Sequence, residues 1–190
     1  FINEIQKPSI ESKKYDFCTI ARLERRKGHD LVLQALKKLK DIDNLICSYA
    51  ILGKGDELNN LRSQVSKYAL QGQVFFFEGI NRNQILKDSK IHVMPTFLDQ
   101  NSIEGFGISN VEAAACGLPC IVSTSGGTPE SIIENRTGLI VKEKNIEDLY
   151  QSMKILIQNK PKYESFSSES LIFAKQFLKE KKIDEYLDIV

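Results

Sequence analysis

The chain has 190 residues, 42% of them hydrophobic and 27% charged, which is the composition of an ordinary globular protein about one domain in size. Its formal net charge is only +1 and its basic residues are dispersed, so we expect no nucleic-acid partner. No apolar run in the sequence approaches the roughly 20 residues that a membrane-spanning helix needs. The first residue, Phe1, is neither a Met nor part of a signal-peptide pattern, so we expect the chain to be part of a longer protein.

Short apolar runs alternate along the chain with segments of helical spacing. The predicted strands cover 15–23, 45–52, 74–77, 91–95, 119–123 and 138–141. The predicted helices cover 29–40, 56–70 with Asp56 as the cap, 83–89, 107–116, a short turn that starts at Pro129, 146–158, and 162–190 with breaks. Strands that are short and continuously apolar, in alternation with helices, predict an α/β fold with a doubly wound parallel sheet.

The four cysteines lie in apolar, strand-like or helix-end surroundings. They are too isolated from other metal-binding side chains to form a zinc site, so we predict that the chain binds no metal. Buried free thiols are typical of proteins in a reducing compartment, which favours a cytoplasmic location. The cysteines are Cys18, Cys47, Cys116 and Cys120.

Polar and glycine-rich segments follow five of the predicted strands. They are 22–28, 53–55, Gly79, the loop that contains Glu104, and 123–128. Doubly wound sheets bind their ligands beyond the carboxyl ends of the strands, where these segments would meet. The sequence therefore predicts a ligand-binding site at this edge of the sheet.

The residue types at this edge suit a nucleoside diphosphate-sugar. The turn Gly105–Gly107 would leave unpaired amides at the start of a helix, and such amides bind anions or sugar oxygens. Arg22 and Lys27 could place two positive charges on a diphosphate. Glu104 and Glu112 are hydrogen-bond acceptors suited to pairs of sugar hydroxyls.

Each of these features has a simpler interpretation when it is taken alone. Glu112 could lie on a solvated helix face, and Arg22 and Lys27 could be ordinary surface cations. The sequence Gly53-Lys54-Gly55 could be a plain turn, since it lacks the rest of a phosphate-binding P-loop. His92 is interpreted as a core histidine within a strand, and His29 as a helix-start residue.

Seven segments of the chain, in this order, resemble the C-terminal, donor-binding domain of a retaining glycosyltransferase of the GT-B fold. The family is family 4, which contains the "glycosyl transferases group 1" domain. The most specific signal is a pair of acids with seven residues between them, Glu104 and Glu112. The segments are 21–36, 50–61, 74–80, 93–97, 104–123, 126–132 and 137–141.

The resemblance implies a role for each residue of the edge. Glu104 would contact the donor sugar near the reacting carbon, and Glu112 would hold the ribose hydroxyls. The amides of Phe106–Gly107 would contact sugar hydroxyls, and Arg22 and Lys27 would neutralise the diphosphate leaving group. By this resemblance the catalytic residues are Glu104, Arg22 and Lys27.

Further donor-binding residues follow from the same resemblance. Gly53 would let the backbone pass close to the nucleotide, the region 78–80 would lie near the base, and Val111 would face the ribose. With these, the donor-binding set also contains Gly105, Ile108, Gly79 and Ile80. Two departures from the family pattern are Ala21, where a glycine is common, and a longer loop before Glu104.

The resemblance also implies how the chain is organised and what it binds. Residues 1–14 would be an interdomain linker, 162–190 the C-terminal helices, and the N-terminal acceptor domain would be absent from this chain. The donor would carry UDP or GDP, with no metal and no cofactor, and the acceptor would be a sugar or a lipid-linked glycan. The whole protein would be cytoplasmic or at the inner face of the membrane, associated with its surface, and this chain alone would be inactive.

Two other classes of function remain as alternatives. The first is a nucleotide- or sugar-binding module without transfer activity, against which the intact set of two acids and two cations argues. The second is a response-regulator-like interaction domain, which would need an acidic pocket after the first strand. The loop at 22–28 is basic instead, which disfavours this alternative.

Overall fold

A six-stranded sheet forms the centre of the computed structural model, which describes residues 13–100 and 102–177. Its strands β1–β6 all pair in parallel and are Tyr15–Ile20, Tyr49–Leu52, Val74–Phe77, Ser89–Met94, Cys120–Ser123 and Gly138–Val141. The helices α1–α6 are His29–Asp43, Leu58–Lys67, Arg82–Lys87, Ile108–Ala115, Ile146–Gln158 and Lys160–Ala174. Short 3₁₀ turns are Arg25–Lys27, Thr128–Ser131 and Lys175–Phe177.

The order of the strands places a ligand-binding position at the centre of the sheet. The order is β3-β2-β1-β4-β5-β6, so the chain builds outward from β1 to β3 and then returns to the centre with β4. Phe17 of β1 accordingly pairs with Tyr49 of β2 on one side and with Ile91 of β4 on the other. The carboxyl ends of β1 and β4 form the topological switch point at which sheets of this kind bind ligands.

Both faces of the sheet are covered by helices. Phe17 packs into an apolar cluster with Leu36 of α1 and Met153 of α5. Its neighbour Cys18 points to the opposite face and packs with Leu86 of α3 and other buried residues. Strands buried on both faces read as continuous apolar runs, which is the pattern seen in the sequence. The predicted doubly wound α/β fold is confirmed.

The ends of the elements differ from the predictions in a few places. The ends of β3, β6 and α5 are as predicted, whereas β1 ends at Ile20 and β2 begins only at Tyr49. The prediction that Asp56 caps α2 is wrong, because α2 starts at Leu58 after Glu57. The backbone N–H of Glu57 donates to the carbonyl of Leu23 at 3.1 Å, so the backbone of the β1 loop anchors this helix start.

All four cysteines are free, and burial raises the pKa of Cys18 and of Cys47 to about 12, so both thiols are protonated at neutral pH.

Apart from Lys13 and Lys14, the predicted linker 1–14 lies outside the described residues, as does 178–190 of the predicted C-terminal helices. Within the described part of the chain, no helix combines the length and the apolar character needed to span a membrane.

Candidate active site

An open cavity of about 370 Å³ lies where β1 and β4 end. The loop after β1, the loop after β4 and the first turn of α4 each supply part of its wall. Its lining consists of Ile20, Ala21, Lys27, Arg82, Met94 and the six consecutive residues 104–109. The structure thus brings together Lys27, Glu104 and the glycine turn, three features that the sequence placed at one edge.

The first turn of α4 requires a glycine at its start. Gly107 is the residue before the helix and has φ 87°, a left-handed conformation that side chains disfavour. A Cβ atom at this position would also lie only 2.9 Å from Cε of Met94. The first amides of a helix have no partner within the helix, so those of Ile108 and Ser109, which line the cavity, are available to oxygen atoms there.

Gly105 differs from Gly107, because nothing in the protein itself requires a glycine there. A Cβ atom on Gly105 would meet no atom within 4 Å. Gly105 is exposed and lines the cavity. A glycine that the fold does not need is consistent with the close approach of a ligand to the backbone.

Two further glycines, Gly126 and Gly127, hold the Glu104 loop from behind. The N–H of Gly127 donates to the carbonyl of Glu104 at 3.2 Å. Added Cβ atoms would lie 2.2 Å from the Glu104 carbonyl oxygen at Gly126 and 1.9 Å from the Gly105 carbonyl oxygen at Gly127. The segment 123–128 was predicted to lie at this edge, but these two glycines were not predicted as site residues, although consecutive glycines after a strand were a usable signal.

Two cations hold the carboxylate of Glu104. Lys27 donates to Oε2 of Glu104, and Nη1 of Arg26 donates to the same oxygen at 2.9 Å. The three side chains are shielded from solvent, with exposed fractions of 9% for Lys27, 11% for Arg26 and 16% for Glu104. Burial alone would raise the pKa of Glu104, but the hydrogen bonds and charges of Lys27 and Arg26 outweigh it and lower that pKa. Glu104 is therefore an ionised acceptor at neutral pH.

Arg26 was not among the site residues predicted from the sequence, where Arg22 was the cation expected beside Lys27 on the diphosphate. The side chain of Arg22 is 69% exposed, pairs with Glu24 and does not line the cavity. Glu24 also accepts from Nε of Arg26 at 3.1 Å, so Arg22 lies at the outer end of the same network of charges. The signal for Arg26 was its position beside Lys27 in the sequence Arg25-Arg26-Lys27, but three adjacent cations do not reveal which of them points inward.

Glu112 belongs to a separate and more exposed ion pair. It is the fifth residue of α4, and Oε2 accepts from Nη2 of Arg82 at 2.5 Å. The exposed fractions of the two side chains are 27% for Glu112 and 51% for Arg82. Burial raises the pKa of Glu112, and the charge of Arg82 offsets part of that effect. Arg82 lines the cavity and Glu112 does not. Glu112 is therefore connected to the cavity through its ion pair with Arg82.

A buried polar network supports α4 from below. The N–H of Ile20 donates to Nε2 of His92 at 3.3 Å, which leaves the proton on Nδ1 to be donated to Oδ1 of Asn110 at 2.9 Å. Nδ2 of Asn110 donates to Ser131 at 2.8 Å, and its backbone N–H donates to the carbonyl of Gly107 at 2.9 Å. Burial lowers the pKa of His92 to about 4, so the ring is neutral. The prediction that His92 is a core histidine is confirmed.

His29 has a matching role under the loop after β1. It is the first residue of α1, as predicted, and is buried. Its Nε2–H donates to the carbonyl of Arg22 at 3.2 Å. Burial lowers the pKa of His29 to about 4, so this ring is also neutral. The loop that carries Lys27 therefore has its own buried support.

Besides Glu112, four residues of the predicted donor-binding set lie away from the cavity lining. A Cβ atom on Gly53 would lie 1.9 Å from the carbonyl oxygen of Ala21, so the fold itself requires this glycine. Gly79 and Ile80 follow β3, an edge strand two positions from β1, and Ile80 is exposed. Val111 is buried in a cluster with Phe173, so its side chain is not available to a ribose, contrary to expectation. The reason is the direction of α4, which turns this side chain towards α6.

Phe106 connects the cavity wall to the C-terminal part of the chain. Its ring centroid lies 6.0 Å from that of Phe177, which in turn lies 5.2 Å from Phe173 of α6.

With regard to metals, the described residues contain no cluster of three or more His, Cys, Asp or Glu side chains that could hold an ion.

Known proteins resemble this chain in sequence and in fold. It is 31% identical over 135 residues to the GDP-mannose-dependent alpha-(1-6)-phosphatidylinositol monomannoside mannosyltransferase of Mycolicibacterium smegmatis, an alignment that covers 67% of this chain and 35% of the relative. It is 24% identical over 181 residues to the poly(glycerol-phosphate) alpha-glucosyltransferase of Bacillus subtilis, which covers 94% of this chain and 26% of the relative. The fold matches the pneumococcal O-GlcNAc transferase GtfA, solved in complex with UDP and GlcNAc, with a TM-score of 0.83 and 20% identity over 99% of this chain and 37% of that one.

These matches extend over most of this chain but not over most of the proteins it resembles. The chain spans only 26% to 37% of the length of those three. Residues 1–171 match the sequence model of the family described as Glycosyl transferases group 1. The predicted family is confirmed, and the chain belongs to the glycosyl transferases group 1 family.

Proposed function

We propose that the protein containing this chain is a retaining glycosyltransferase of the hexosyltransferase type, and that this chain provides its donor site. One observation carries the proposal: Lys27, Glu104 and the start of α4 share one cavity at the topological switch point of the sheet. A cation and helix amides suit a diphosphate, and an ionised carboxylate suits sugar hydroxyls. These are the two halves of a nucleoside diphosphate-sugar.

The leaving diphosphate gains negative charge as the bond to the sugar breaks. Lys27 and the first amides of α4 would stabilise that charge, which is more favourable in the transition state than in the bound substrate. Glu104 and the backbone of Gly105–Gly107 would hold the sugar hydroxyls and fix the orientation of the reacting carbon. The protein's contribution is then position and charge rather than a covalent nucleophile.

The transfer step balances without a further reactant. The bond between the anomeric carbon and the diphosphate oxygen breaks, and a bond from the same carbon to the acceptor oxygen forms on the same face. The acceptor hydroxyl gives its proton to an oxygen of the leaving phosphate. The configuration at the anomeric carbon is therefore kept, which is the meaning of retaining.

The nucleotide is proposed to be UDP or GDP. The names of the related proteins point in both directions, because the mycobacterial relative is GDP-mannose-dependent and the pneumococcal structure contains UDP. The base would lie near Glu78–Ile80, beyond the carboxyl end of β3, where Glu78 forms an exposed ion pair with Lys54. That binding needs no metal remains a prediction, which is based on Lys27 and the first amides of α4 at the cavity.

The acceptor is proposed to be a sugar or a lipid-linked glycan, held by residues outside this chain. The name of the mycobacterial relative, a phosphatidylinositol monomannoside mannosyltransferase, supports a lipid-linked acceptor. Because the chain spans about a third of that protein, the relative has many residues with no counterpart here. Contact of the whole protein with the inner face of the membrane, and inactivity of this chain alone, belong to the same proposal.

Calorimetric titration of the chain with UDP, GDP, ADP and their sugars, with and without EDTA, tests the donor site. We expect one of the UDP or GDP series to bind, the affinity to be unchanged by EDTA, and Lys27→Ala to weaken it. Lys37→Ala, on the exposed face of α1, is the matched control and should bind as the wild type does. Loss of metal-free binding, or equal affinity in the two lysine variants, would contradict the proposal. Binding without sugar transfer by the whole protein would instead favour a non-catalytic module.

A further inference from the structure

The ion pair between Lys27 and Glu104 creates a competition within the proposed donor site. Lys27 is proposed to bind the diphosphate and Glu104 the sugar, yet the two side chains are bonded to each other. A diphosphate that takes hydrogen bonds from Lys27 does so at the expense of the carboxylate. Glu104, with only 16% of its side chain exposed, would then lose a partner that solvent replaces poorly.

Arg26 is placed to remain with Glu104 during that exchange. Its Nη1 donates at 2.9 Å to the same carboxylate oxygen, Oε2, that accepts from Lys27. Among the described residues, no side chain donates a hydrogen bond to the second oxygen of Glu104, Oε1. Arg26 can therefore hold one oxygen of Glu104 while the other accepts a hydroxyl of the sugar.

The guanidinium group is itself held in a fixed orientation. Glu24 accepts from Nε of Arg26 at 3.1 Å on the side away from Nη1. The backbone at this position is secured separately, because the N–H of Phe97 donates to the carbonyl of Arg26 at 2.9 Å. Replacing the side chain of Arg26 thus removes the contact with Glu104 and leaves the backbone of the loop in place.

We propose that Arg26 is a positioning residue that holds the carboxylate of Glu104 in place while Lys27 exchanges this carboxylate for the diphosphate. The inference rests on the proposed donor site. It implies that the affinity for a nucleoside diphosphate depends on Arg26 only through Glu104. It also implies that the negative charge of Glu104 opposes diphosphate binding, because that charge competes for Lys27.

A double-mutant cycle tests this dependence by calorimetry with UDP and GDP on the 190-residue chain. Arg26→Gln should weaken the binding of the preferred nucleotide about fivefold, and Glu104→Gln should tighten it about fivefold, since each change alters an ion pair with an effect of about 1 kcal/mol. In the Glu104→Gln background, Arg26→Gln should change the affinity less than about twofold. Arg26→Lys, which keeps the charge, should recover part of the loss.

Arg25→Gln is the matched control. It removes the same charge from the neighbouring residue, whose side chain is exposed. It should leave the affinity within about twofold of the wild type. An equal loss from Arg26→Gln in both Glu104 backgrounds would overturn the inference and assign Arg26 a general role in charge or folding. An equal loss from Arg25→Gln would also overturn it, in favour of the field of the whole loop.

Different results would contradict the proposed donor site and the proposed role of Arg26. A wild-type chain that unfolds cooperatively on heating but binds neither UDP nor GDP would remove the donor site, and the role of Arg26 with it. A chain that binds one of them, with additive effects of Arg26→Gln and Glu104→Gln, would keep the donor site and overturn the role of Arg26 alone. Thermal unfolding of every variant establishes that the compared proteins are folded.

Discussion

The two acids of the predicted site, Glu104 and Glu112, lie in different surroundings in the structure. Glu104 is bonded to two shielded cations, and its loop is held from behind by Gly127. Glu112 has one partner, Arg82, and about half of the Arg82 side chain is exposed. The sugar side of the proposed donor site is thus built in advance, whereas the nucleoside side is open and adjustable. Preorganisation matters most where the reacting atoms must be held, which is the side of Glu104.

The largest effect should come from a methyl group behind the Glu104 loop. In Gly127→Ala the new Cβ atom would lie 1.9 Å from the carbonyl oxygen of Gly105, although the φ of −84° at Gly127 suits any residue. We expect a loss of about 3 kcal/mol in the free energy of unfolding, because backbone must move to accept the methyl group. Urea unfolding measures this loss.

Gly105→Ala is the control within the same turn, because its new methyl group would enter open space. It should leave the stability unchanged or slightly higher. It should nevertheless weaken the binding of the nucleotide-sugar, whose sugar is proposed to occupy that space. Equal stability of the two alanine variants would show that the loop is not held from behind as described.

A second test compares the contributions of the shielded Lys27 and the exposed Arg22 to nucleotide binding. Lys27→Ala should weaken nucleoside diphosphate binding about tenfold, the lower end of the range for charged hydrogen bonds, since the cavity is open to solvent. Arg22→Ala should change it less than about twofold, because the side chain of Arg22 is largely exposed and paired with Glu24. Calorimetry on both variants decides the matter, and a larger effect of Arg22→Ala would restore the role that the family resemblance gives it.

The pH dependence of stability probes the supports beneath the Glu104 region. Burial lowers the pKa of His29 and of His92 from 6.5 to about 4, so each ring binds a proton in the unfolded chain before it does in the folded one. The stabilisation is complete above pH 6.5 and is lost as the pH falls towards 4, with a slope of about 1 kcal/mol per pH unit for each histidine. The raised pKa of Glu112 acts in the opposite direction.

Unfolding in urea at several pH values between 6.5 and 4 measures this slope. His92→Gln removes one of the two buried rings, so the slope of the variant should be smaller than that of the wild type. An unchanged slope would mean that His92 does not contribute to the acid sensitivity. The absolute stability of the variant does not enter this comparison, since only its change with pH is used.

The smallest effect is expected on the nucleoside side. Glu112→Gln should weaken the binding of UDP or GDP about threefold, because an amide is a poorer acceptor for ribose hydroxyls than a carboxylate. It should leave the binding of inorganic pyrophosphate unchanged, since pyrophosphate has no ribose. Titration with both ligands tests the assignment, and an equal loss for pyrophosphate would mean that Glu112 acts on the phosphates instead.

Much of the fold followed from local patterns. All six strands were predicted, since strands buried on both faces are apolar at consecutive residues and glycines or polar residues end them. The limits that were missed depend on contacts distant in sequence. Asp56 has the residue type of a helix cap, but the carbonyl of Leu23 fixes the start of α2. No local pattern contains that hydrogen bond.

The candidate site divides in the same way. The sequence by itself determined that Lys27, Glu104 and the turn Gly105–Gly107 follow strands whose carboxyl ends meet, because that follows from the alternation of strands and helices. Only the tertiary structure decided which neighbouring cation faces Glu104. The 3₁₀ turn Arg25–Lys27 directs Arg26 and Lys27 inward and leaves Arg22 in solvent. The direction of a side chain in an irregular turn depends on packing against loops from other strands, and a linear sequence does not contain that packing.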